Sequence, residues 1–166
     1  RQDPLTGLYN HDYARQYIQT YLDIHQRGHA SALLLFDLDN FKRVNDRHGH
    51  LEGDAALVRF AEILKKQFRS RDFLARTGGD EFATLLRDVD VAALRAEMDE
   101  LHARALRISV AGFPLFFAYG IASFDPERDA DIHATLTRAD AEMYAHKRAL
   151  KREREQEELL SPDQNS

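Results

Sequence analysis

Residues 32–36, Ala-Leu-Leu-Leu-Phe, form an unbroken apolar run that ends in Asp37-Leu38-Asp39. The run is too short for a typical helix, and uninterrupted apolar character suits a strand covered on both faces. A carboxylate ending such a strand is costly to desolvate unless something positive meets it. A hard divalent cation shared between Asp37 and a second acid would satisfy both. It would also leave coordination positions open for phosphate oxygens.

A second acid stands in Arg76-Thr77-Gly78-Gly79-Asp80-Glu81-Phe82, between the short apolar runs 73–75 and 82–86. Two glycines between strand-like segments predict a β-hairpin with a type I′ or II′ turn, because Gly enters φ > 0 cheaply. They also leave the backbone bare enough for a ligand to come close. Taken alone, a Gly-Gly tip beside acids describes a solvated turn more often than a site.

Around these two stretches the chain reads as an alternation of elements. Asn10 predicts the cap of a helix running to about Arg27, with Tyr13, Tyr17, Ile18, Tyr21 and Leu22 at helical spacing. A short helix over 40–48 closes at Gly49, and a longer one lies within 51–71. Its stripe Leu57, Phe60, Ala61, Leu64 and Phe68 faces the sheet. The hairpin spans 72–87, and Asp90 caps a helix through Arg107 with Leu94, Met98, Leu101 and Ala105 inward. The apolar runs 108–111 and 115–124, joined by Gly112-Phe113-Pro114, are expected to pair with each other as strands. A last helix starts near Asp131, with Leu136, Ala139 and Met143 inward, and continues into the charged run 151–158. Residues 161–166 read as a frayed or disordered end.

At 166 residues the chain has the size of one domain able to bury a core. Net charge is −5, so no basic field argues for a nucleic acid polymer or an anionic membrane as partner. The absence of cysteine excludes disulfides. No apolar run approaches the ~18–20 residues of a membrane span, and no signal peptide is visible. The expectation is a cytoplasmic domain without membrane contact of its own, cut from a longer protein that could itself be membrane-anchored.

The motifs together resemble the GGDEF family, the diguanylate cyclases, over nearly the whole chain. Beyond Gly78-Gly79-Asp80-Glu81-Phe82, the opening Asp3-Pro4-Leu5-Thr6-Gly7-Leu8 matches the family's first motif. Phe36 to Lys42, Asn45-Asp46, Gly49-His50 and Gly53-Asp54 match its nucleotide-binding block in order and spacing. The resemblance implies an α+β fold: a mostly antiparallel central sheet flanked by helices, palm-like as in nucleotide cyclases, with a ferredoxin-like core. It implies a cyclase domain over 1–152 and a charged helical extension with a disordered tail over 153–166.

It also implies condensation of two GTP into cyclic di-GMP and two pyrophosphates across a homodimer, with Mg²⁺ or Mn²⁺ as cofactor. Asp37, Asp80, Glu81 and the Leu38 carbonyl correspond to metal ligands. Asp37, Asp80, Glu81 and Lys42 are the expected catalytic residues. Phe36, Lys42, Asn45, Asp54, Arg76, Gly78, Gly79, Lys147 and Lys151 are the expected substrate-binding residues. Asn45 and Asp54 match guanine readers, and a site built on such hydrogen bonds rejects the wrong base by roughly 10⁴-fold. A lone Gly-Asp could equally place Asp54 as a helix cap. Lys147 and Lys151 could equally belong to a solvated charged face, since Leu150-Lys151-Arg152 stands where the family usually has Gly-Arg-Asn. Likewise Ala118 precedes Tyr119-Gly120 where the family usually has Ser before its Gly. Arg69 and Asp72 occupy the offset of the family's inhibitory Arg-x-x-Asp site, where cyclic di-GMP feeds back; a plain surface ion pair is the alternative. The rival to a cyclase is a catalytically silent module that binds GTP or cyclic di-GMP to regulate a partner.

Overall fold

The computed structural model describes residues 1–24, 31–68, 73–125 and 127–160. In chain order these form α1 (His11–Ile24), β1 (Ser31–Leu38), α2 (Phe41–His48), α3 (His50–Gln67), β2 (Leu74–Arg76) and β3 (Glu81–Arg87). Then follow α4 (Val91–Ala105), β4 (Ser109–Val110), β5 (Phe113–Pro114), β6 (Phe117–Ser123) and α5 (Ile132–Leu160). The main sheet has the order β2-β3-β1-β6, and every pairing in it is antiparallel. With α2–α3 and α4 as the crossovers, this is the β-α-β-β-α-β ferredoxin-like arrangement.

β1 is a central strand, and the alternation of its side chains separates two cores. Leu34, Phe36 and Leu38 point to a layer built by Leu57, Phe60 and Leu64 of α3 and Leu94, Met98 and Leu101 of α4. Leu33 points to α1, and Leu35 packs with Ala118, Met143 and Leu150 beneath α5. Asp37 shares the odd-numbered face and therefore turns toward α5. Phe36 packs against Phe60, Phe68 and Phe117 with no exposed surface. Truncating such a ring to Ala typically costs about 3–5 kcal/mol.

β6 is a sheet edge, and α5 covers it. The Tyr119 N–H donates to Nδ1 of His146 at 3.1 Å, and the Ile121 N–H donates to Glu142 at 3.2 Å. Both donors would otherwise be free to recruit another strand. The helix can approach because residue 120 is Gly: a Cβ there would lie 2.0 Å from the Ala139 carbonyl oxygen. This close seat fixes where α5 delivers its later side chains.

Two expectations need correction. Runs 108–111 and 115–124 meet only at one end, where the Leu115 N–H donates to the Ile108 carbonyl at 3.0 Å. Ser109–Val110 instead pairs with Phe113–Pro114 as a separate two-stranded ribbon, while β6 joins the main sheet beside β1. The reason is a two-residue turn at Ala111 and Gly112, both at positive φ (53° and 82°), which reverses the chain earlier than the apolar pattern suggests. Gly78 and Gly79, by contrast, do not take the left-handed φ of a type I′ or II′ turn. The tip is a longer loop, residues 77–80, closed by the Thr77 N–H donating to the Glu81 carbonyl at 2.9 Å. Residues 161–166 lie outside the described residues, as does the end of the first predicted helix at 25–27.

Candidate metal and nucleotide site

The acidic end of β1 and the hairpin tip meet because of strand register. Asp37 stands opposite Glu81 in the β1–β3 pairing, and the Leu38 N–H donates to the Asp80 carbonyl at 2.9 Å. One carboxylate oxygen from each of Asp37, Asp80 and Glu81 can be chosen so that all three lie within 4.8 Å of one another. Among the described residues this is the one cluster of three or more metal-capable side chains. Asp37 is buried, Asp80 half-buried and Glu81 exposed. The cluster therefore opens from the strand end outward.

The electrostatics of the cluster are unfinished. Oδ2 of Asp37 accepts from Lys147 Nζ at 3.0 Å, but its Oδ1 is buried with no hydrogen-bond partner among the described residues. Burial and then the neighbouring Asp37 charge push the Asp80 carboxyl above its ordinary range. Glu81 is pushed up in the same way, by burial, Asp37 and Asp80 in that order. Burial opposes the charge on Lys147, yet its hydrogen bond to Asp37 and the surrounding acids lift its pKa overall. Three carboxylates face one ammonium. All-oxygen donors with one orphaned, buried oxygen are what a hard cation takes.

The remaining candidate residues divide into those that the fold organises and those that it leaves open. Asn45 lies on α2 against α3, and its Oδ1 is buried without a partner among the described residues. A Cβ on Gly53 would fall 1.6 Å from that oxygen, so the glycine makes room for the Asn45 side chain. Asp54 is half-buried in the second turn of α3, past the N-cap at Gly49, so the capping alternative does not describe it. Lys42 is exposed in the first turn of α2, and Lys151 is exposed on α5. Phe36 is in the core, so its ring supports the strand end from beneath. Arg69 and Asp72 lie outside the described residues.

Arg76 is already engaged. Its guanidinium donates to the Gly78 carbonyl at 3.2 Å, to that of Gly79 at 2.9 Å, and to Asp3 at 3.1 Å. Asp3 in turn accepts from the Thr6 N–H and hydroxyl at 2.9 and 2.7 Å. The opening motif thus clasps the hairpin tip through one arginine. In this arrangement Gly78 and Gly79 contribute the carbonyls that Arg76 takes rather than unusual φ.

Asp39 carries a contact that sequence reasoning missed. Its N–H donates to the Phe116 carbonyl at 2.7 Å, and its carboxylate accepts from Arg154 at 2.7 Å. Arg154 also lies 4.9 Å over the Phe116 ring. Burial raises the Asp39 carboxyl, against the pull of Arg154 and Lys147. The only available signal was the missing glycine at 150, which lets α5 run on.

The family model described as "Diguanylate cyclase, GGDEF domain" matches residues 1–153. An uncharacterized 19.3 kDa protein of Streptomyces ambofaciens is 39% identical over 147 residues, covering 89% of this chain and 78% of that protein. Diguanylate cyclase DgcP of Pseudomonas aeruginosa is 38% identical over 152 residues, covering 89% of this chain but 22% of its own length. The chain therefore spans less than a quarter of that relative. Among solved structures, the GGDEF domain of DgcB from Caulobacter crescentus, in complex with c-di-GMP, superposes with a TM-score of 0.82 at 25% identity. That match covers 89% of this chain and 90% of the other.

Proposed function

Because the chain belongs to the GGDEF family, we propose that it is a diguanylate cyclase domain, condensing two GTP into cyclic di-GMP with release of two pyrophosphates. The observation that carries this reading is the cluster of Asp37, Asp80 and Glu81 around a buried carboxylate oxygen without a partner among the described residues. Mg²⁺ or Mn²⁺ fits that donor set and, when bound, supplies charge neutralisation at the reacting phosphate and the leaving pyrophosphate.

Asp37, Asp80, Glu81 and the Leu38 carbonyl would hold the cation. Glu81, exposed at the mouth and with a raised carboxyl, is placed to take the proton from the attacking 3′-hydroxyl. Each 3′-oxygen forms a bond to the α-phosphorus of the other nucleotide, and the bond from that phosphorus to pyrophosphate breaks. Lys147 and Lys151 on α5, with Lys42 on α2, offer positive charge to the phosphates. The Asp54 carboxylate accepts from guanine N1–H and the 2-amino group, and Asn45 reads the same base beside it. One such site holds one GTP, so the reaction needs two copies face to face. Feedback by cyclic di-GMP through Arg69 and Asp72 belongs to the same proposal.

The test is incubation with GTP and Mg²⁺ at rising protein concentration, with products separated by chromatography. Cyclic di-GMP and pyrophosphate are expected, with a rate per chain that climbs with concentration. No product from a copy dimerised by a fused coiled coil would overturn the cyclase reading. GTP binding without turnover in that fusion would assign the chain to the silent binding modules.

A further inference from the structure

We propose that Arg154 is a positioning residue that keeps Asp39 out of the acidic site. This inference rests on the metal reading above. Two carboxylates, Asp37 and Asp39, lie two residues apart at the end of β1, and two cations, Lys147 and Arg154, lie seven residues apart on α5. Seven residues are about two helical turns, so both cations leave the same face of the helix. Lys147 takes Asp37 at 3.0 Å and Arg154 takes Asp39 at 2.7 Å. The Asp39 side chain is 3% exposed and the Arg154 side chain 26% exposed. The pair is therefore closed over from outside by the arginine.

The departure from the family pattern at Leu150-Lys151-Arg152 makes this possible. Leu150 is buried with Met143 and Ala118, and Phe116 packs on the same cluster. That contact holds α5 down on the domain one turn beyond Lys147, where a glycine would have let the chain leave. Arg154 then arrives over Phe116, its guanidinium 4.9 Å from the ring centre. The ring fixes the plane of the guanidinium, and one terminal nitrogen holds Oδ2 of Asp39.

Without Arg154, Asp39 would be an uncompensated buried carboxylate close to Asp37 and Lys147. It would draw Lys147 toward itself and add a negative charge to a cluster that already has three. Arg154 thus limits the site to three acids and leaves Lys147 with one partner. The charged segment after 150 belongs functionally to the domain rather than to a tail.

Mn²⁺ binding to the whole chain, read from the electron paramagnetic resonance of the free ion, tests this without any turnover. Arg154→Met is expected to bind Mn²⁺ more tightly, by about threefold or more, because the Asp39 charge, no longer paired, adds to the attraction. Arg154→Met with Asp39→Asn should return to within about twofold of the natural chain. Arg154→Gln, which removes the charge but keeps a donor, provides the same comparison should the Met variant not fold. Unchanged or weaker Mn²⁺ binding by a folded Arg154 variant would overturn the inference alone. No Mn²⁺ binding by the natural chain would overturn the metal reading along with it.

Discussion

Two carboxylate-rich corners of this domain are built on opposite plans. At the start of α5, Asp129 is buried and fully answered. Arg138 grips it with both terminal nitrogens, the Thr135 hydroxyl donates to it at 3.0 Å, and the Asp125 N–H donates at 3.0 Å. These bonds hold the Asp129 carboxyl well below its usual range, at about 2. At the end of β1, Asp37, Asp80 and Glu81 share one lysine, one buried oxygen has no partner among the described residues, and the pKa values of Asp80 and Glu81 are raised. The first corner stabilises the fold. The second costs stability until something positive arrives, and strain of that kind marks a candidate for function.

The contrast is broken most easily by deleting acids on each side of it. Glu81→Ala is expected to lower cyclic di-GMP formation by roughly 10³-fold or more, in the range seen when a metal ligand or proton acceptor is lost. Its far-ultraviolet circular dichroism should be unchanged. Asp129→Asn should do the reverse. It leaves Arg138 without its charge partner and should cost roughly 2–4 kcal/mol in chemical denaturation. The turnover per folded molecule should stay within about twofold of the natural chain.

Acid titration of the metal-free chain sharpens the same comparison. Asp129 has a depressed pKa, so its contribution is present above the unfolded value of 3.8 and is lost as pH falls toward about 2. Asp80 and Glu81 have raised pKa values, so their contribution has the opposite sign and protonation on acidification relieves repulsion. Stability should therefore hold or rise slightly as the pH first drops below neutrality, then fall between about pH 4 and pH 2. Asp129→Asn should shrink that last acid-dependent step, leaving the part that Asp3 and Glu142 contribute through their own lowered carboxyls, as measured by denaturant midpoints across the range.

A smaller effect is expected at Asn45, which is proposed to read the base. Gly53→Ala forces the Asn45 oxygen out of its present position, because the two would sit 1.6 Å apart. KM for GTP should rise by about tenfold with a lesser change in kcat, and a steady-state comparison of the two constants checks it.

The acid site was legible in the sequence because its parts are local. Asp37 ends an apolar run, Asp80 and Glu81 follow a glycine pair, and one strand register brings them together. The order of helices and strands was legible because apolar spacing repeats within each segment, whereas the antiparallel pairing was legible only through the resemblance to the family. What escaped were contacts made by polar side chains across long separations. Nothing around residue 76 announces that Arg76 serves Asp3 and the Gly79 carbonyl, and nothing around Asp39 announces Arg154. The 109–114 ribbon escaped because a turn at Ala111-Gly112 outweighed the apolar pattern on either side.

The central claim is that function sits where charge is left unanswered, and Asp80→Asn tests it in one paired measurement of melting temperature and GTP turnover. The account predicts that turnover disappears while the metal-free melting temperature stays the same or rises, because a repelled carboxylate has been made neutral. A variant that keeps its turnover, or one that loses turnover and stability together, would contradict it.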